Sequence, residues 1–226
     1  MREPGANDEL FPIIIESILS WDENMQKECA ISFIQPIKNG LFTDKNNFKI
    51  IQKSINILNE YLQLPEHTEI VGPWVDLLGV VCTKVKAKDQ RIELLPFLSE
   101  LLNNKSPIEH RKVGNRILFA IAANIGEQGL NDEPTYVKLM KSVFVESNFK
   151  LRIDGIMFLK KYFADYPKVK ELVQTDRFQC FYLPELIGYL EDGDQQLVCD
   201  AILAATPLLE YLEDSLIQEV YLPALV

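Results

Sequence analysis

The chain has 226 residues, is 47% hydrophobic and carries a formal net charge of −10. There is enough apolar material for a sizeable core, and no apolar run reaches the roughly 18 residues that indicate a membrane-spanning helix. The negative net charge disfavours nucleic acid as a partner. The amino terminus reads MREPGANDEL and lacks the apolar core of a signal peptide. We therefore expect a cytoplasmic or nuclear protein without a membrane span.

Apolar residues recur along the chain with the 3.6-residue period of α-helices, so we expect helices and no sheet. The first two predicted helices flank a turn at Trp21, and the second ends at Asn39-Gly40, a typical helix C-terminus. Each predicted helix is apolar on one face and has to pack against a neighbour. The predicted helix pairs cover residues 8–41, 44–86, 89–127, 132–166 and 176–212, and a half-pair covers 214–226.

A short sequence occurs twice near the end of the chain. Residues 182–187 read YLPELI and residues 221–226 read YLPALV, 39 residues later. A period of this length is typical of arrays of helix pairs, whose units run to about 40–47 residues. Pro184 lies in the first turn of a predicted helix, where its missing N–H costs little. Pro207 lies inside the next predicted helix, so we expect a kink or an early end there.

The unit that begins at Tyr182 resembles the HEAT repeat. Pro184, Asp192 and Ala201 stand where the pattern of that family has a proline, an aspartate and a small residue. The preceding unit contributes the arginine of the pattern as Arg152. The resemblance implies an all-α, right-handed superhelix of the HEAT/armadillo type, with about five helix pairs and a half and an extended concave face. It also implies a structural ladder between adjacent units, in which Arg152 bonds to Asp192.

Among HEAT proteins, these unit starts and lengths look most like the scaffold and regulatory subunits of the serine/threonine protein phosphatases 2A and 4. In that family the turns within repeats bind the catalytic and regulatory subunits. The resemblance thus implies a non-catalytic scaffold or adaptor, with a phosphatase catalytic subunit as one partner. Carried over by position, the candidate protein-binding residues are Trp21, Asp22, Glu23, Asn103, Asn104, Lys105, Glu146, Asn148, Glu191, Asp192 and Asp194.

The acidic residues are concentrated at the end of the chain. After Arg177 there are nine acidic residues and no basic one. We expect these carboxyl-terminal units to form a docking surface for a basic partner, because an uncompensated field steers oppositely charged molecules. The alternative is an acidic face that only interacts with solvent. The last six residues are apolar, whereas an array ends in a polar cap, so we expect a fragment of a longer array.

No motif for catalysis or cofactor binding is present, and we expect neither an enzyme nor a cofactor or metal. The sequence has no glycine-rich phosphate loop and no HExxH or GxSxG motif. His67 and His110 lie far from any cysteine, and we expect both on the surface. The four cysteines lie on predicted helices and are expected to be buried free thiols. Trp74 lies on a helical apolar stripe and is expected in the core, whereas Trp21 either packs on a turn or anchors a partner.

Two other functions remain open at this point. A transport or trafficking protein of the HEAT type would also be acidic and would bind basic cargo. An accessory helical domain of a larger enzyme would have the same sequence features.

Overall fold

The protein is all-helical, as the apolar periodicity predicts. The structure, a computed structural model, describes residues 13–18, 21–62, 68–146, 148–166 and 168–225. No strand occurs within these ranges. The chain divides into two compact units, residues 1–140 and residues 141–226, and each is described by itself. Within the described ranges each helix is too short or too polar to cross a membrane.

The first unit contains most of the long helices, and residues 13–17 are also helical. Its helices are α1 (Glu23–Lys38), α2 (Asp44–Leu62), α3 (Thr68–Val81), α4 (Ala87–Leu101), α5 (Ile108–Asp132) and α6 (Thr135–Phe144), whose last turn belongs to the second unit. The second unit continues with α7 (Phe149–Asp165), α8 (Val169–Val173), α9 (Leu183–Leu190), α10 (Gln195–Ala205), α11 (Asp214–Leu216) and α12 (Leu222–Ala224).

In the first unit, helices that are two apart in the chain pack side by side. α1 packs along α3, α3 packs along α5, and α2 packs along α4. Consecutive helices also pack, α2 on α3 and α4 on α5, which gives two layers of helices. Trp74 of α3 is completely buried between these layers, so its predicted place in the core is confirmed. α3 and α5 approach closely at Gly79 of α3, where an added Cβ would lie 2.9 Å from the Ala120 carbonyl oxygen of α5.

The second unit has an aromatic core. α7 packs along α10, and α9 packs on α10. Phe163 of α7 makes edge-on ring contacts with Phe178 and Tyr182, and all three side chains are fully buried. Such aromatic pairs stabilise a core beyond the burial of their area.

Both copies of the repeated sequence are preceded by the same unusual turn. Residues Phe178–Tyr182 and Ile217–Tyr221 are π-helical. The next N–H, of Leu183 or Leu222, donates to a carbonyl five residues back. A proline follows in each copy and has no N–H to give to the carbonyl four residues back, which favours this wider turn. The repeated sequence therefore encodes a repeated local structure.

Two helices end where a proline or a glycine predicts. α1 is followed by Asn39 and by Gly40, whose positive φ of 68° suits a residue without Cβ. α10 ends at Ala205, and the 3₁₀ turn Thr206–Tyr211 takes its place around Pro207. The expected early end of this helix is therefore confirmed.

One segment that reads as a linker in the sequence is helical. The predicted helix pairs 89–127 and 132–166 leave residues 128–131 as a link, but the helical segment α5 runs on to Asp132. Gly126 has φ 61° and ψ −169°, which are not helical angles, so α5 consists of two helical stretches that meet at a kink here. A residue without Cβ adopts such angles easily, so the chain can change direction and resume the helix.

We predict that Gly79→Ala destabilises the first unit by about 1–3 kcal/mol, because its Cβ would push α3 away from the backbone of α5. Gly72→Ala on the same helix is the matched control. Its Cβ would contact only the end of the Arg116 side chain, at 3.4 Å. Alanine also favours a helix over glycine by up to about 1 kcal/mol. Urea unfolding measures both changes, and equal effects would contradict the close approach of α3 and α5.

Candidate functional site: the turns before α1, α5, α7 and α10

The candidate protein-binding residues fall in turns, each directly before a long helix. In the first unit these turns are residues 21–22, before α1, and residues 102–107, before α5. In the second unit they are residues 145–148, before α7, and residues 191–194, before α10.

The turn before α1 is fixed by its own polar groups. Asp22 caps the helix and accepts a hydrogen bond from the Met25 N–H at 3.0 Å. The Trp21 carbonyl accepts a hydrogen bond from Gln26 Nε2 at 3.1 Å, and the Trp21 side chain is half-buried. Glu23 is exposed in the first turn of the helix. The indole is thus partly packed and partly available to a partner.

The turn before α5 presents a small polar cleft. Asn103, Asn104 and Lys105 are exposed, and Asn103 Oδ1 accepts a hydrogen bond from the Lys105 N–H at 2.9 Å. The cleft has a volume of about 430 Å³, and Asn103, Lys105, Ser106 and His110 are among the residues that line it. His67 lies outside the described residues.

In the second unit, polar turn residues cap helices. Asn148 caps α7 and accepts a hydrogen bond from the Lys150 N–H at 3.0 Å, while its own N–H donates to Glu146 at 3.0 Å. Asp194 caps α10 and accepts from two backbone N–H groups, at 2.9 and 3.3 Å. Glu191 is exposed. Capping alone is a sufficient reason for Asn148 and Asp194 to stand at these positions.

The structure brings Arg152 and Asp192 together, as the HEAT resemblance implies. Arg152 Nη2 of α7 lies 2.5 Å from Asp192 Oδ2 in the turn before α10. Asp192 also accepts a hydrogen bond from the Asp194 N–H at 2.8 Å. The Arg152 guanidinium lies over the ring of buried Tyr189, 5.3 Å from its centroid, and the Tyr189 hydroxyl donates to the Arg152 carbonyl at 3.0 Å. The Asp194 N–H, the Tyr189 ring and the Tyr189 hydroxyl therefore all help to position the pair.

The environment of Asp192 favours its charged form. Burial alone would raise the pKa of this carboxyl, but the Asp194 N–H and the Arg152 guanidinium outweigh burial and hold the pKa below its usual value. The salt bridge and its hydrogen bonds therefore stabilise the folded state at neutral pH.

A second polar pair links the same two helices. Lys160 Nζ of α7 lies 3.0 Å from Asp200 Oδ1 of α10, and Gln196 Nε2 donates to the other carboxylate oxygen at 2.8 Å. Asp200 is only 5% exposed, and these two donors offset the effect of burial and lower its pKa. Both pairs join residues 40 positions apart. Sequence reasoning missed this pair, although the repeat period carries a signal for it.

Polar pairs of similar separation occur in the first unit. Glu133 is 3% exposed and forms a salt bridge with Arg91, and the hydrogen bonds from Thr135 and Arg91 outweigh burial and lower its pKa. The pairs separated by 41 or 42 residues are Gln52–Glu93, Arg91–Glu133, Lys27–Glu69 and Lys86–Asp44. Contacts between residues about 40 positions apart are therefore found in both units.

The thiols fall into two classes. Cys29 and Cys82 are buried, as expected, and burial raises the pKa of Cys29 to about 12. Cys180 and Cys199 are exposed, so the expectation that all four thiols are buried is wrong. In the part of the chain that the structure describes, no group of three or more His, Cys, Asp or Glu side chains is arranged to hold a metal ion.

Comparison with known proteins gives little overlap. No protein-family model matches the chain. The chain is similar to the lipopolysaccharide biosynthesis protein RfbH of Salmonella typhimurium, with 29% identity over 98 residues. The match covers 43% of this chain and 20% of the Salmonella protein, so the chain matches only about one fifth of the length of this curated relative.

We predict that Asp192→Asn lowers the free energy of unfolding at pH 7 by about 1–3 kcal/mol. Asparagine still accepts from the Asp194 N–H, so the change removes mainly the charge that pairs with Arg152. Because the folded-state pKa is lowered, the stabilisation is complete above the ordinary value of 3.8 and is lost as the pH falls through the folded-state pKa.

Urea unfolding at pH 7 and at about pH 3 measures this difference. The matched control is Glu191→Gln in the same turn, which removes an exposed charge and should change stability by less than about 0.5 kcal/mol. If Asp192→Asn lowers the free energy of unfolding equally at both pH values, the salt bridge does not stabilise the fold. The same conclusion follows if the control lowers it as much as Asp192→Asn does.

Proposed function

We propose that the protein is a non-catalytic scaffold or adaptor whose helix pairs stack as a HEAT/armadillo-type array. The observation that carries the proposal is the recurrence of polar contacts 40–42 residues apart in both units. In a repeat array each unit contacts its neighbours in sequence, so contacts recur at the length of one repeat. The side-by-side packing of α1, α3 and α5, and of α7 and α10, supports the same interpretation.

A stack of this kind is suited to binding other proteins. It exposes a long surface relative to its core, and its connections are short turns with little room for catalytic loops. These turns contain exposed residues, among them Asn104 and Glu191. Within the described ranges the side chains of these two residues neither cap a helix nor form an ion pair. They are available for contacts with a partner.

For the partner, we propose the catalytic subunit of a serine/threonine phosphatase of the 2A type, following the resemblance of the unit starts. The intra-repeat turns would provide the binding residues. Asp192 and Asp194 also support the fold, since one bonds Arg152 and the other caps α10. Exposed neighbours such as Lys105 and Glu191 would therefore carry more of the specificity.

The direct test mixes the full chain with a purified 2A-type catalytic subunit at about 10 μM and measures the molar mass of the eluted species by light scattering. We expect a complex of fixed stoichiometry. We also expect Lys105→Glu combined with Glu191→Lys to weaken it about tenfold or more, because reversed charges face the partner. The control reverses two exposed acidic residues on helices, Glu28 and Asp76, and should leave binding unchanged.

The outcomes separate the two parts of the proposal. If the phosphatase subunit does not bind but another protein from the native source co-elutes at fixed stoichiometry, the scaffold stands and the phosphatase partner is refuted. If neither the phosphatase subunit nor any protein from the native source elutes together with the chain, the scaffold proposal is contradicted.

A further inference from the structure

Six of the nine acidic residues after Arg177 fall into two groups with different environments. Asp192 and Asp200 are neutralised by Arg152 and Lys160 of α7. Four others lie within ten residues of one another and are exposed: Glu210, Glu213, Asp214 and Glu219. Among the residues that the structure describes, none of these four forms a salt bridge. The negative charge at this end of the second unit is therefore uncompensated.

A groove lies in the same region, and apolar and polar side chains share its walls about equally. It has a volume of about 260 Å³. It lies between the start of α9 and the segment that runs from the 3₁₀ turn Thr206–Tyr211 to the π turn Ile217–Tyr221. Its apolar lining consists of Leu183, Tyr211, Leu212, Leu216 and Val220. Glu213, Glu219 and Ser215 line it as well. Leu222 and Leu225 are exposed next to this segment, by 47% and 53%.

We propose that this groove binds a basic amphipathic segment of a partner protein, with apolar side chains in the groove and Lys or Arg side chains against Glu213 and Glu219. The inference rests on the proposed scaffold function and names the chemistry of one partner. Burial of apolar side chains supplies the driving force, and the carboxylates select the charge. An acidic peptide would be repelled by the four uncompensated carboxylates.

Charge complementarity decides between the possible occupants. A purely apolar segment would leave Glu213 and Glu219 partly desolvated without a counter-charge, which disfavours binding. Anionic surfaces such as nucleic acid or acidic lipid would meet like charges. A segment that combines apolar and basic side chains satisfies both features of the groove, as helix-in-groove recognition does elsewhere.

The test uses the full chain and a synthetic amphipathic helix of leucine and lysine, about four turns long. A second peptide with glutamate in place of lysine keeps the leucine spacing and inverts the charge. Fluorescence anisotropy gives the dissociation constants at about 50 mM and about 500 mM salt. We expect the lysine peptide to bind, to weaken at high salt, and to bind much more tightly than the glutamate peptide.

Two variants test the groove itself. Glu213→Gln combined with Glu219→Gln removes both lining charges and should weaken the lysine peptide about five- to tenfold. Ser215→Lys places an ammonium group at an exposed position on the groove wall and should weaken it at least as much. The matched control is Glu28→Gln combined with Asp76→Asn, which changes the net charge equally but lies in the first unit, and it should bind like the wild type.

Three results would overturn the inference. Equal weakening by the control would mean that only net charge attracts the peptide. If the lysine peptide does not bind, or if both peptides bind equally, the groove does not select a basic segment. Self-association of the wild type that Ser215→Lys abolishes would assign the groove to a second copy of the chain.

A failure here is distinguishable from a failure of the scaffold proposal. If the groove variants bind the lysine peptide like the wild type while a stoichiometric complex with a partner still forms, only the groove inference is refuted.

Discussion

The structure depends on polar contacts between residues about 40 positions apart. Arg152–Asp192 and Lys160–Asp200 set the register of α7 against α10, and Arg91–Glu133 joins residues 42 positions apart in the first unit. Each contact holds a carboxylate that is mostly withdrawn from water, so loss of the basic partner would leave a poorly solvated charge. Apolar stripes alone allow helices to slide along each other, whereas a charged hydrogen bond fixes one position.

These contacts also explain much of the uneven charge distribution. The basic residues Arg152 and Lys160 and the acidic residues that follow them face each other across one helix interface, so part of the acidic excess is internal to the fold. Glu191 and the group of carboxylates between residues 210 and 219 remain exposed, and that group lies next to a groove lined by both apolar and polar side chains. Internal pairing therefore narrows the candidate docking surface from a whole region of the chain to one groove.

The sequence predicts features that depend on a few neighbouring residues. The helices, the C-terminus at Asn39-Gly40 and the early end before Pro207 all follow from apolar period and backbone chemistry. The π turns, the kink at Gly126 and the Lys160–Asp200 pair were not predicted. They depend on how a particular turn or neighbouring helix satisfies its hydrogen bonds, which the apolar pattern does not encode. Apart from Glu23, which begins α1, the candidate residues lie in turns, and the capping roles of Asp22, Asn148 and Asp194 become visible only with the backbone geometry.

The most direct test of this account is crosslinking with a zero-length carbodiimide reagent, which couples only lysines and carboxylates in contact. The account predicts links 40–42 residues apart, at Lys27–Glu69, Lys86–Asp44 and Lys160–Asp200. Lys49 and Lys53 both contact Glu16, so links 37 residues apart or less are expected there as well. The local pairs Lys112–Glu109 and Lys168–Glu171 serve as positive controls for the reaction. Links at the local pairs, together with long-range links at scattered separations in place of those three, would contradict an array of repeating helix pairs.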